Sequence, residues 1–186
     1  AAVFEITVSS TMGSITDDVR DGQIGMRLMK PISYRAQLCF SNIGEFAGRM
    51  LIFGLPVIVG GTLTAVFGFG LTGIKWYNVL LFVPACFISL LVNEAYGFLF
   101  GQLAFRTQAM FGVHSMYMTL SGFLSGRMIP LGVFPAWAQT ALYCTPFPFM
   151  ASMPVRLFLG VMTWTEVLAG FAIAVAWIIV LDVIGW

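Results

Sequence analysis

The sequence of 186 residues has few charged residues and a single histidine. Charged side chains make up 9% of it, whereas a soluble globular chain carries about 25%. Hydrophobic residues make up 59%, and the mean hydropathy is +0.93. A chain of this length cannot hide so much apolar surface from water in one core. The composition therefore predicts a multi-pass protein embedded in a lipid bilayer.

Several motifs that indicate enzymes or binding proteins are absent. The sequence contains neither the G-x-x-x-x-G-K-[ST] phosphate-binding loop nor a G-x-S-x-G nucleophile motif. Cys39, Cys86 and Cys144 lie far apart without CxxC spacing, which favours packing over metal or redox roles. A formal net charge of +1 without a basic stripe excludes a nucleic-acid partner. We therefore predict no catalytic residue, and no metal or cofactor bound by this chain.

What the sequence does contain is a series of long apolar segments. A transmembrane helix needs about 20 such residues, and four segments qualify, at about 43–70, 76–101, 107–125 and 165–186. The stretch 128–160 is also apolar, but its five prolines exclude a single helix and predict a re-entrant or interfacial hairpin. The predicted fold class is an all-α membrane protein, a helical bundle with about four transmembrane helices.

A polar segment precedes the first apolar one. Ser14 and Asp17 match the start of a capping box, Gly22 fits a helix stop, and Ser33 can cap a helix that enters the bilayer. Residues 17–31, called the charged loop below, hold most of the charges in this part of the chain. Two readings remain open: a solvated loop, or a rigid turn that lodges in a groove of a soluble partner.

Basic residues are distributed unevenly between the two predicted sides of the membrane. Six lie on the side of the charged loop: Arg20, Arg27, Lys30, Arg35, Arg49 and Arg106. Three lie on the other side: Lys75, Arg127 and Arg156. Because cytoplasmic loops are enriched in Lys and Arg, we expect the charged loop to be cytoplasmic and the hairpin to be external.

Glu94 is an ionisable residue inside the second predicted span, where charge is costly and often functional. With its neighbour Asn93 it is a candidate for the transport pathway or a subunit interface, and the alternative is a structural polar contact. The Gly97-x-x-x-Gly101 and Gly122-x-x-x-Gly126 patterns allow close helix packing. They do not say whether that packing is within one subunit or between two.

Two blocks of the sequence resemble a known family. The first is I-T-D-D-V-R-D-G-Q-I at residues 15–24 followed by R-L-M-K-P-I-S at 27–33. The second is S-G-F-L-S-G at 121–126, I-P-L at 129–131, F-P-A-W at 134–137 and P-F at 146–147, with Pro154 and Gly160. They resemble the cytoplasmic loop and the external hairpin of type-2 ATP-binding-cassette (ABC) export permeases.

The resemblance implies a permease subunit of an ATP-driven exporter in the plasma membrane, the inner membrane in bacteria. It implies pairing with a second permease, a copy or a homologue, and with ATPase subunits that bind ATP and Mg. Residues 1–33 would be the end of a preceding span and the cytoplasmic coupling segment, and residues 34–186 the transmembrane domain. Since relatives have six spans, two are expected to be missing here. The implied ATPase-coupling residues are Asp17, Asp18, Arg20, Asp21, Gly22, Arg27, Lys30 and Pro31.

Two other functions are weighed against this one. An intramembrane hydrolase would need a nucleophile with a base or paired aspartates, and only Asp182 lies within a predicted span. A secondary transporter or channel subunit is compatible with the spans and with Glu94. No internal inverted repeat supports that alternative.

Overall fold

The computed structural model describes residues 11–63, 76–107, 110–129 and 131–184, and every regular element in these ranges is helical. A π-helical turn spans Met50–Gly54, and a short 3-10 turn spans Leu131–Val133. The helices are α1 (Thr11–Arg20), α2 (Ile24–Leu28), α3 (Tyr34–Arg49), α4 (Leu55–Leu63), α5 (Trp76–Thr107), α6 (Met110–Leu124), α7 (Ala136–Tyr143), α8 (Phe147–Phe158) and α9 (Trp164–Ile184).

Three helical stretches are long and apolar enough to cross a membrane: Tyr34–Gly60, Tyr77–Thr107 and Trp164–Ile184. The third predicted span, 107–125, corresponds to α6, which has 15 residues. Such a helix is about 22 Å long, whereas the apolar layer of a bilayer is about 30 Å thick. Among the described residues, the expected four spans are therefore reduced to three candidates and one shorter helix.

The first candidate span begins earlier than the predicted residue 43. Ser33 caps α3, because its Oγ accepts a hydrogen bond from the backbone N–H of Ala36 at 3.4 Å. Arg49 therefore lies inside this span and not before it, which removes it from the count of flanking basic residues. It pairs with Glu45 one turn earlier, at 2.8 Å. The final part of the predicted span, residues 64–70, lies outside the described residues.

Helix α5 is the centre of the bundle, and α1, α3, α6, α8 and α9 pack against it. Its aromatic residue Tyr96 meets rings from two neighbouring helices, Tyr117 of α6 at 5.6 Å and Phe147 of α8 at 5.2 Å between centroids. Phe82, nearer the start of α5, packs edge-on against Phe158 of α8. Helices α5 and α8 therefore run antiparallel along a shared apolar seam.

Contacts at the ends of the long helices define the two ends of the bundle. Tyr77 of α5 lies against Trp164 of α9, with 5.4 Å between ring centroids, where both helices begin. Arg35, at the start of α3, forms an ion pair with Asp182, near the end of α9. The charged loop therefore lies at the bundle end with Asp182, and the connection between α8 and α9 lies at the opposite end, called the far end below.

The proline-rich stretch folds as two short helices, α7 and α8, as its prolines predict. The turn between them contacts α9, since the indole N–H of Trp177 donates to the carbonyl of Cys144 at 2.9 Å. Trp177 lies about 20 Å along α9 from Trp164, at 1.5 Å per residue. The turn thus lies well along the bundle from its far end, at the surface, where Cys144 is exposed.

Candidate functional site

The charged loop consists of the end of α1, helix α2 and the bend that leads to α3. The predicted helix stop at Gly22 is confirmed, because this residue has φ +69 directly after α1. The predicted helix start at Ser14 is wrong, because α1 already includes Thr11 and Met12. Both side chains are fully buried, so packing extends the helix beyond its local capping signal.

Asp18 connects the helices on both sides of the charged loop with the helix inside it. Its side chain is 5% exposed, and Oδ1 lies 3.1 Å from Nε of Arg27. Its other oxygen, Oδ2, accepts a hydrogen bond from the hydroxyl of Tyr34 at 2.8 Å. One carboxylate therefore joins α1, α2 and α3. Asp18 is buried by these contacts, whereas 32% of the Arg27 side chain remains accessible.

Gln37, on the first turns of α3, fixes the second half of the loop. Its side-chain amide donates to the carbonyls of Arg27 and Ile32, each at 2.9 Å. The Arg27 carbonyl also accepts from the backbone N–H of Lys30 at 3.4 Å, so Gln37 adds a side-chain bond to the turn that ends α2. The loop is thus held at two points by the helix that enters the candidate span.

The outer surface of the loop combines charge with apolar side chains. Met26 and Leu28 are each 63% exposed, and Met29 is 78% exposed. Around them lie the remaining predicted coupling residues, all exposed: Asp17, Arg20, Asp21, Gly22, Lys30 and Pro31. An apolar patch rimmed by polar residues is typical of a protein interaction site.

Glu94 lies in a buried polar cluster between three helices. Its Oε2 accepts a hydrogen bond from the hydroxyl of Thr11 in α1 at 2.7 Å, and a second from the side-chain amide of Asn42 in α3. That amide also donates to the Thr11 hydroxyl at 2.7 Å. The three side chains are 6% exposed or less. Glu94 thus connects both helices that flank the charged loop to the central helix α5.

Asn93 faces a different neighbour although it adjoins Glu94. Its side-chain amide donates to the carbonyl of Ser89 at 3.0 Å, and at 3.5 Å to that of Met150 in α8. Ser89 donates to the same Met150 carbonyl. The structure therefore does not bring Asn93 and Glu94 into one site: Asn93 contacts the hairpin helix, and Glu94 contacts the helices of the charged loop.

A model of the family described as ABC-2 family transporter protein matches residues 1–186. The chain belongs to the ABC-2 transporter family. It is a membrane permease component of an ABC transporter and not itself a catalytic enzyme, and the family implies partnership with an ABC ATPase subunit. No curated protein and no solved structure matches the chain.

A second connection links the charged-loop end of this ABC-2 permease to α9. Arg35 pairs with Asp182, and its guanidinium also lies 4.9 Å from the ring centroid of Phe98 in α5. The pair is partly exposed, with 25% of the Arg35 side chain and 44% of the Asp182 side chain accessible. Helix α3 is therefore attached to both α5 and α9 through polar groups near its start.

Sequence reasoning missed several residues of the permease that complete these contacts. Arg35 and Asn42 are seven residues apart, two helical turns, and so share one face of α3. That spacing was a usable sign that polar groups of α3 face the bundle. Tyr34, Gln37 and Thr11 gave no such sign, since their partners depend on how α1 and α3 meet.

Proposed function

We propose that this permease is the membrane subunit of an ATP-driven exporter, and that its charged loop docks on a separate ATPase subunit. The observation that carries the proposal is the exposed apolar surface of α2, formed by Met26, Leu28 and Met29. Methionine is enriched and Lys and Glu are depleted in the cores of protein interfaces. A soluble partner with an apolar groove and a charged rim would cover this surface.

The contacts at the base of the loop support a mechanical role. Asp18 joins α1, α2 and α3, so a force applied to α2 moves α1 and α3 as well. Glu94 connects those two helices to α5, and the Arg35–Asp182 pair connects α3 to α9. A displacement of the loop by the ATPase would thus reach α5 and α9, which belong to two of the three candidate spans.

The proposed setting is the plasma membrane, the bacterial inner membrane, with the charged loop in the cytoplasm. ATP and Mg would bind to the ATPase partner, and a second permease, a copy or a homologue, would complete the substrate path. The hairpin of α7 and α8 would re-enter the membrane from outside. The contact of its turn with Trp177, deep along α9, supports this placement.

The docking surface is tested by placing a charge at its most exposed apolar residue. We expect Met29→Asp to reduce the ATPase that co-purifies with the permease about tenfold, because a charge buried without a partner in an interface costs more than 1.4 kcal/mol. ATP-driven export from membrane vesicles should fall in parallel. Val161→Asp is the matched control, since Val161 is 64% exposed at the far end.

The proposal is wrong if the Met29→Asp variant retains as much ATPase as the wild type and the Val161→Asp variant. Export that continues without ATP and follows an ion gradient would instead favour the alternative, a secondary transporter or channel subunit. Both measurements use the whole permease expressed together with its ATPase.

A further inference from the structure

We infer that a groove between α8 and α9 at the far end of the bundle binds a membrane phospholipid whose headgroup carries both a phosphate and a primary ammonium. The groove has a volume of about 250 Å³ and is lined by residues of α7, α8 and α9. The inference requires that α9 crosses the membrane, but not that the charged loop binds an ATPase.

The groove changes from charged to apolar along its length. Arg156 and Glu166 lie at its outer end, and Phe149, Met153 and Ile173 line the remainder. Glu166 and Ile173 are seven residues apart on α9, which places the apolar part about 10 Å deeper. A phospholipid has the same order of groups, with a charged headgroup at the membrane surface and an acyl chain below it.

A glycine shapes the floor of the groove. A Cβ added to Gly170 would lie 2.9 Å from the terminal methyl of Met153 and 3.6 Å from a ring carbon of Phe149. Helices α8 and α9 therefore meet closely at this position, which closes the groove on the side of the bundle. Ala169 and Ile173 on α9 are exposed, so the other side of the groove opens toward lipid.

Arg156 provides the binding group for a phosphate. Its guanidinium donates to the hydroxyl of Tyr143 and lies 5.4 Å from the centroid of that ring. This contact orients the side chain but uses few of its five N–H donors. No carboxylate of the described residues lies within 4 Å of Arg156, so its charge is available to an anion.

Glu166 provides the binding group for an ammonium. One carboxylate oxygen accepts from the backbone N–H of Thr163 at 2.8 Å and so completes a capping box at the start of α9. The Glu166 side chain is exposed, and a carboxylate offers about four lone-pair sites, so acceptor positions remain beside its bonds to Thr163. A headgroup with a phosphate but no ammonium would be repelled by the Glu166 carboxylate. Arg156 and Glu166 together place one positive and one negative charge at the outer end of the groove, which complements a zwitterionic headgroup.

The test measures lipid retention by the purified full-length permease, with its ATPase where the two co-purify. The protein is equilibrated in detergent with equal amounts of phosphatidylethanolamine, phosphatidylcholine and phosphatidylglycerol of identical chains, and native mass spectrometry measures the bound lipid. We expect about tenfold more phosphatidylethanolamine than phosphatidylcholine, whose quaternary ammonium cannot donate a hydrogen bond to Glu166. Phosphatidylglycerol should be retained less than phosphatidylethanolamine.

Three variants locate the lipid in the groove. Ala169→Phe fills the groove and should lower retention of phosphatidylethanolamine about tenfold. Val175→Phe is the matched control, because Val175 is 46% exposed on the opposite face of α9. Glu166→Gln keeps the capping hydrogen bond but removes the charge, so it should abolish the preference for phosphatidylethanolamine over phosphatidylcholine.

The inference is overturned if the wild type retains the three lipids equally, or if it prefers phosphatidylglycerol. It is also overturned if the Ala169→Phe and Val175→Phe variants, both monodisperse, retain equal amounts of phosphatidylethanolamine. The comparison of the three lipids uses only the wild-type protein, so its outcome does not depend on whether a variant folds. Loss of ATPase binding in the Met29→Asp variant would leave lipid retention unchanged, so the two proposals fail independently.

Discussion

At the scale of single residues, Glu94 has the most consequential contacts of the described part of the chain. A carboxylate buried in an apolar bundle is costly unless hydrogen bonds stabilise it, and Thr11 and Asn42 each donate one to Oε2. Both partners would in turn lose an acceptor if Glu94 were removed. The cluster therefore stabilises one arrangement of α1, α3 and α5, in addition to any role in transport.

We expect Glu94→Leu to lower the free energy of unfolding by about 1–3 kcal/mol, because the hydroxyl of Thr11 and the amide of Asn42 lose a buried acceptor. Glu94→Gln should cost less, since its side-chain oxygen can still accept. Thermal unfolding of the purified permease in one detergent measures the difference. Asp21→Leu is the control, because Asp21 is exposed in the charged loop. Equal midpoints for all variants would contradict a stabilising cluster.

At the scale of helices, the packing of α1 on α5 depends on two glycines. A Cβ at Gly97 would lie 3.3 Å from Cβ of Thr11 and 3.5 Å from the backbone nitrogen of Met12. A Cβ at Gly101 would collide with the side chain of Ile15. The Gly97-x-x-x-Gly101 pattern therefore serves a contact within this chain, a question that the sequence left open.

Gly97→Leu should destabilise the permease by about 1–3 kcal/mol, because the added side chain meets the backbone of α1 and forces the two helices apart. Gly112→Leu is a matched control on α6, where an added Cβ has no atom within 4 Å. It should be neutral or stabilising by up to about 1 kcal/mol, from the better helix propensity of Leu. The unfolding midpoints of the two variants measure this difference. A Gly97→Leu variant as stable as the Gly112→Leu control would refute close packing of α1 on α5.

At the scale of the whole molecule, the position of the α7–α8 hairpin along the bundle determines how deeply water enters from the far end. The turn between α7 and α8 holds Cys144, whose side chain is exposed on the surface of the chain. Its carbonyl is bonded to Trp177, which lies about 20 Å along α9. If α9 spans the bilayer, lipid surrounds this cysteine.

We therefore expect Cys144, kept as the single cysteine by replacing Cys39 and Cys86, to resist a membrane-impermeant maleimide in intact membranes. It should react fully once the protein is unfolded in sodium dodecyl sulfate. Val161→Cys in a cysteine-free background is the control, and external reagent should label it rapidly, since Val161 lies in the connection at the far end. Labelling of Cys144 as fast as the control would place the turn in water.

Composition and local patterns were enough to predict the class of protein and the approximate positions of its helices. Membrane insertion follows from composition, and candidate spans follow from the lengths of apolar segments. The caps at Gly22 and Ser33 are local signals between adjacent residues, so they were predictable. The family followed from two sequence blocks, and the match over residues 1–186 bears it out.

Which of the recognised polar residues face inward could not be predicted from the sequence. Asp17 and Asp18 are neighbours in sequence, yet Asp17 is exposed and Asp18 is buried, because successive side chains point about 100° apart around a helix. The partners of Glu94 lie 83 and 52 residues away. Such pairs depend on how helices pack, which no local pattern encodes, and for that reason the cluster and the lipid groove became visible only in the fold.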